Sequence, residues 1–121
     1  MNTLKEWVFF DEQQGDYERY QPAEERRLKG APVNELWNHY SDPSNQFHAG
    51  VWRSEPGCWK VSYSEHEFCQ ILEGRSIVRD NQGNERELKA GDRFVVPAGF
   101  EGEWEVVETC QKIYVIFEPA T

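Results

Sequence analysis

Glu65-His66-Glu67 is the run in this sequence that most resembles a ligand set. Two carboxylates and an imidazole are groups that hold a transition metal when they converge on one point. On a regular strand they do not converge, because successive side chains leave on opposite faces. His66 is therefore expected to point away from Glu67, toward solvent or a second subunit, unless a local bulge intervenes. His39 and His48 lie elsewhere in the chain. Cys58, Cys69 and Cys110 are odd in number and show no Cys-x-x-Cys spacing, so neither a disulfide framework nor a zinc knuckle is suggested. Reduced thiols in a cytoplasmic protein are the expectation.

The elements that position these groups read as short strands. The 121 residues fit one domain able to bury a core without staples. Apolar residues make up 38% and the mean hydropathy is −0.83, and the longest apolar runs, such as Trp7 to Phe10, are too short to cross a bilayer. The first residues lack a signal-peptide layout. A formal charge of −9 without a segregated basic patch argues against nucleic acid as a partner. Five Trp, seven Phe and five Tyr against one Met suit strands better than helices.

No segment keeps a helical apolar period, and turn signals recur every few residues. Strands are expected at 36–40, 47–53, 59–64, 67–72, 75–79, 85–88, 93–96, 103–108 and 111–118. Glu73-Gly74 reads as a tight corner, Thr109-Cys110 as a loop, and Pro56-Gly57 as the centre of a type II turn. Trp7 to Phe10 reads as a further strand, an apolar edge suited to pairing in a homodimer. The reading is an all-β barrel over residues 34–121, preceded by an extended arm over residues 1–33 with at most one helical turn.

The spacing Gly91, five residues, Pro97, one residue, Gly99 resembles the second motif of the cupin superfamily, and Glu67, six residues, Gly74 resembles the end of the first. With Pro56 to Val61, Glu67 to Arg75, Ala90 to Val106 and Lys112 to Ile116, the stretch 50–116 is similar to the ureidoglycine aminohydrolase-type cupins, which include the cupin of ethanolamine utilisation. The resemblance implies a double-stranded β-helix, or jelly-roll barrel, enclosing a ligand bowl. In that frame the first-motif histidines fall at Val61 and Tyr63 and the second-motif histidine at Gly102, so only Glu67 keeps a ligand type. The manganese and the activity of the aminohydrolases are accordingly not implied, and no metal or other cofactor is expected.

If the replaced ligand positions face inward, alternation places Tyr63, Glu67 and Cys69 in the bowl, together with Trp104 and, on the last strand, Lys112 and Tyr114. Arg53 is added as a possible cation for Glu67. A buried carboxylate must be paired or protonated, so a salt bridge from Glu67 to Lys112 or Arg53 is the structural alternative to a ligand contact. Three functions are carried forward: binding of a small organic ligand without metal; a metal-free isomerase or lyase with Tyr63 and Glu67 as acid and base; and a metal-dependent aminohydrolase with an unusual ligand set.

Overall fold

A computed structural model of the protein describes residues 3–120. Among the described residues, nine antiparallel strands form one curled sheet: β1 (Asp16–Tyr20), β2 (Arg27–Lys29), β3 (Asn34–Ser41), β4 (Phe47–Ser54), β5 (Gly57–Ser62), β6 (His66–Asp80), β7 (Glu85–Lys89), β8 (Arg93–Val96) and β9 (Glu101–Phe117). The expected all-β jelly-roll architecture is what the chain adopts.

Two long strands close the barrel. The first part of β9 pairs with β5 and the second part with β4. β6 pairs with β9 along its length, with β8 at its start and with β7 at its end. Each long strand therefore passes from one wall to the other, β1-β3-β4-β9-β6-β8 on one side and β2-β5-β9-β6-β7 on the other. The expected corner at Gly74 and loop at Thr109-Cys110 are instead bends inside these strands. The β6–β9 register shifts between Ile71 and Ser76, as at a bulge. Gly74 takes φ +83°, and a Cβ there would collide with the Thr109 carbonyl, so only glycine fits.

Inside, Trp52, Ile71, Leu88, Trp104, Val106, Cys110 and Tyr114 form one cluster drawn from both walls. The indole of Trp52 meets that of Trp104 edge-on at 6.0 Å. Each such side chain removes a large apolar area from water, worth about 2 kcal/mol or more.

Three local expectations change. Trp7 to Phe10 is not a strand: it follows a single 3₁₀ turn, Leu4–Glu6, capped by Thr3, and Phe10 stacks on His39 with ring centroids 4.1 Å apart. Segments 16–20 and 27–29 are strands in their own right, hydrogen-bonded to β3 and β5. Gly57 does not take a positive φ, so Pro56-Gly57 is not the centre of a type II turn. The side chain of Pro32 packs where a Cβ on Gly57 would sit, 2.5 Å away, so close approach is what requires glycine.

Candidate functional site

A cavity of about 510 Å³ opens between the two walls. Its inner end is built by alternation on β6 and β9. Glu67, Cys69 and Ile71 face inward from β6, and Trp104, Lys112 and Tyr114 from β9; all six side chains are buried. Beside them, on the strand paired with β9, the buried set of β4 is Gly50, Trp52 and Ser54, with Trp52 directly across from Lys112.

Lys112 Nζ lies 3.0 Å from Glu67 Oε2, with 6% and 8% of the two side chains exposed. The ammonium also sits over two indole faces, 4.4 Å from the centre of Trp104 and 4.8 Å from that of Trp52. Cys69 Sγ donates to the same Glu67 oxygen at 3.2 Å. Burial, the largest single influence, opposes the Lys112 charge, but the adjoining Glu67 carboxylate and the Cys69 and Tyr63 groups together hold the ammonium's pKa well above its ordinary value. Burial pushes the Cys69 thiol up to about 12, which makes it a proton donor and not a nucleophile at neutral pH.

Tyr63 follows the end of β5 and reaches the same cavity, its ring edge-on to Phe100 at 6.2 Å. Burial raises its pKa above that of a free phenol, so the hydroxyl stays protonated. Tyr114 lines the cavity and donates to Asn38 Oδ1 at 2.8 Å. The Trp104 Nε1 donates to Ser76 Oγ at 3.2 Å, which fixes the indole.

The structure thus brings together Tyr63, Glu67, Trp104, Lys112 and Tyr114 around one cavity. Cys69 lies behind Glu67, fully buried, and does not border the open space. Arg53 is a correction: it leaves β4 on the opposite face from Trp52 and pairs with Glu35 at 3.5 Å, away from Glu67. His66 is exposed, stacks on Phe117 and accepts a hydrogen bond from the Ala98 amide at 3.0 Å.

Sequence reading missed Trp52, Trp59, Asn34, Tyr20 and Arg26, which also border the cavity. Trp52 was obtainable from alternation had the face of β4 been set by Gly50 and Ser54. Tyr20 and Arg26 carried no such signal.

The donors do not suit a transition metal. At the positions matching cupin ligands stand Val61, Tyr63 and Gly102, and a Cβ on Gly102 would collide with the Arg79 carbonyl. No group of three or more His, Cys, Asp or Glu side chains able to hold a metal ion forms among the described residues. The one carboxylate that remains, Glu67, already faces an ammonium.

Residues 41–114 match the EutQ-like cupin domain. The chain belongs to the EutQ-like cupin family. Among solved structures, this cupin is similar to a Pseudomonas syringae pv. tomato protein of the DUF861 family, with 21% identity over 84% of this chain and a TM-score of 0.76. It spans only 44% of that protein's length. A putative ethanolamine utilization protein from Salmonella typhimurium is 16% identical, with 88% of this cupin and all of that chain covered and a TM-score of 0.64. A DUF861 family protein from Thermotoga maritima is 31% identical over 55% of this cupin and 76% of its own length, with a TM-score of 0.54. No curated protein matches this cupin.

Proposed function

We propose that this cupin binds a small organic ligand in the aromatic cavity, with the Lys112–Glu67 pair in place of a metal. The observation that carries the reading is that the pair is buried yet borders open space. A buried ion pair that serves only the core gains little over apolar residues of the same volume. Here the two charges form the floor of a cavity walled by indoles, the composition of a small-molecule site: mostly apolar, with a few convergent polar groups. Lys112 supplies the positive charge that a metal supplies in other cupins, and Glu67 supplies an acceptor.

The same groups support a second reading, a metal-free isomerase or lyase. Glu67 would accept a proton next to a substrate carbonyl, Lys112 would neutralise the oxyanion that forms, and Tyr63, kept protonated by burial, would return a proton. An aminohydrolase of ureidoglycine type ranks last, because the donor set that its metal needs is replaced. The cysteines are free and buried, which supports a reducing compartment such as the cytoplasm.

The reading is tested by a thermal-shift screen of small acids, amides, polyols and aromatic compounds, beside elemental analysis of the purified protein. The expected result is at least one compound that raises the melting temperature of the wild type but not of Glu67→Gln, with substoichiometric transition metal. Stoichiometric metal, or no ligand that distinguishes the two proteins, would overturn it.

A further inference from the structure

Residues 21–26 cross the mouth of the cavity from one wall to the other. Tyr20 ends β1 and pairs with Asn34 of β3. Arg27 begins β2 and pairs with Trp59 of β5. The segment between them is anchored on both sides, and Tyr20, Pro22, Ala23 and Arg26 border the cavity beneath it. Its path is held from within. Arg27 Nε donates to the Pro22 carbonyl at 2.8 Å, Arg27 Nη2 to Gln21 Oε1 at 3.2 Å, and Gln21 Nε2 to the Ala31 carbonyl at 3.1 Å. With Arg27 committed to these bonds, its neighbour Arg26 is the exposed guanidinium at the rim.

Arg26 has no carboxylate within ion-pair distance among the described residues, although the chain carries 22 acidic residues against 13 basic ones. Arg53, Arg75, Arg79, Lys29 and Lys112 have such partners; of the basic residues that border the cavity, Lys112 is paired and Arg26 and Lys60 are not. The cavity therefore has charge at two levels. A neutralised pair lies at the floor; Arg26 and Lys60, two cations without an ion-pair partner among the described residues, and the Glu65 carboxylate also border the cavity. Between them lie the indoles of Trp52 and Trp59, 6.3 Å apart. The family match starts at residue 41, so this strap lies outside it.

We propose that the strap selects a small hydroxylated carboxylic acid, its carboxylate at Arg26 and a hydroxyl at the Lys112–Glu67 floor. The proposal rests on the ligand-binding reading above and names the ligand class. A guanidinium presents two parallel N–H donors that match one carboxylate. A hydroxyl is the simple group that donates to Glu67 while accepting from Lys112. A ring or chain with a C–H face packs against the indoles between. A neutral polyol would leave Arg26 without its anion, and an alkyl acid would leave the floor pair without a hydroxyl.

The test is isothermal titration of the full chain with D-glucuronate, D-glucuronamide and D-glucose, with wild type, Arg26→Gln and, as a strap control, Glu24→Gln. The expected result is that glucuronate binds at least tenfold more tightly than its amide, that Arg26→Gln removes this preference and that Glu24→Gln retains it. Unchanged melting temperatures show that each variant is folded. Equal binding of acid and amide, or a preference that survives Arg26→Gln, would overturn the strap proposal while leaving the cavity as a ligand site. If none of the three compounds binds, the ligand class is overturned; the ligand-binding reading falls with it only if the wider thermal-shift screen is also empty.

Discussion

Replacing Lys112 by methionine keeps most of the side chain's length and apolar body but leaves Glu67 facing two indoles and a thiol with no cation. At 3.0 Å the attraction between the two charges is about 5 kcal/mol at an effective dielectric of about 20. Desolvation offsets much of this, but a single substitution loses the attraction while keeping the partner's burial. Removing one member of a buried pair costs about 3–5 kcal/mol. For a chain of this size that is a fall in melting temperature of about 10–20 °C, read by calorimetry at pH 7. The double variant Lys112→Met/Glu67→Leu removes both charges and should recover most of the loss, because an apolar pair is often as stable as the ion pair. The cycle of wild type, the two single variants and the double should give a coupling of about 5 kcal/mol or more, close to the sum of the two single losses. A fall of less than about 3 °C for Lys112→Met, or additive single effects, would show that the pair does not exist as a buried unit.

The alkaline limb of stability should report the buried thiol: Cys69 keeps its proton in the fold up to about pH 12 but loses it near 9.0 when unfolded. Its contribution is therefore complete below pH 9.0 and fades as pH rises through about 12, and Cys69→Ser should flatten urea midpoints across that window. Gly74→Ala forces a side chain into a positive-φ position against the Thr109 carbonyl and should lower stability by several kcal/mol, where Gly83→Ala, with nothing within 4 Å, should lower it only by the backbone term. The protein is expected to be a homodimer by light scattering at micromolar concentration. Its exposed apolar residues include Phe68 beside Val95 and Phe47 beside Phe117, and Phe68→Glu should yield monomer if that outer face is the interface; a monomeric wild type would contradict it.

Strand alternation carried most of the inner surface. Once Glu67 was fixed as inward, Cys69 followed on β6. Trp104, Lys112 and Tyr114 followed on β9, even though the expected break at 109–110 is a bend in one strand. The same rule failed on β4, where taking Arg53 as an inward cation excluded Trp52 and brought in a residue from the outer face. Alternation gives two solutions per strand, and only a residue of known burial chooses between them. The strap was illegible for a different reason. β1 is exposed along its length, with no apolar period to reveal it, and its place is set by pairing to β3. The glycine positions show a third limit: Gly74 and Gly57 both read as turn glycines, but one fills a strand bend and the other makes room for Pro32.

The five tryptophans allow the central claim to be tested in one titration. Trp52, Trp59 and Trp104 border the cavity, whereas Trp7 is exposed and Trp37 packs against Tyr17 away from it. The indole N–H resonances of ¹⁵N-labelled protein, titrated with the best compound from the thermal-shift screen, should move saturably for Trp52, Trp59 or Trp104 and remain still for Trp7 and Trp37. In Glu67→Gln the same titration should need a markedly higher ligand concentration. Movement confined to Trp7 or Trp37, or a titration identical in Glu67→Gln, would contradict a ligand site built on the Lys112–Glu67 pair.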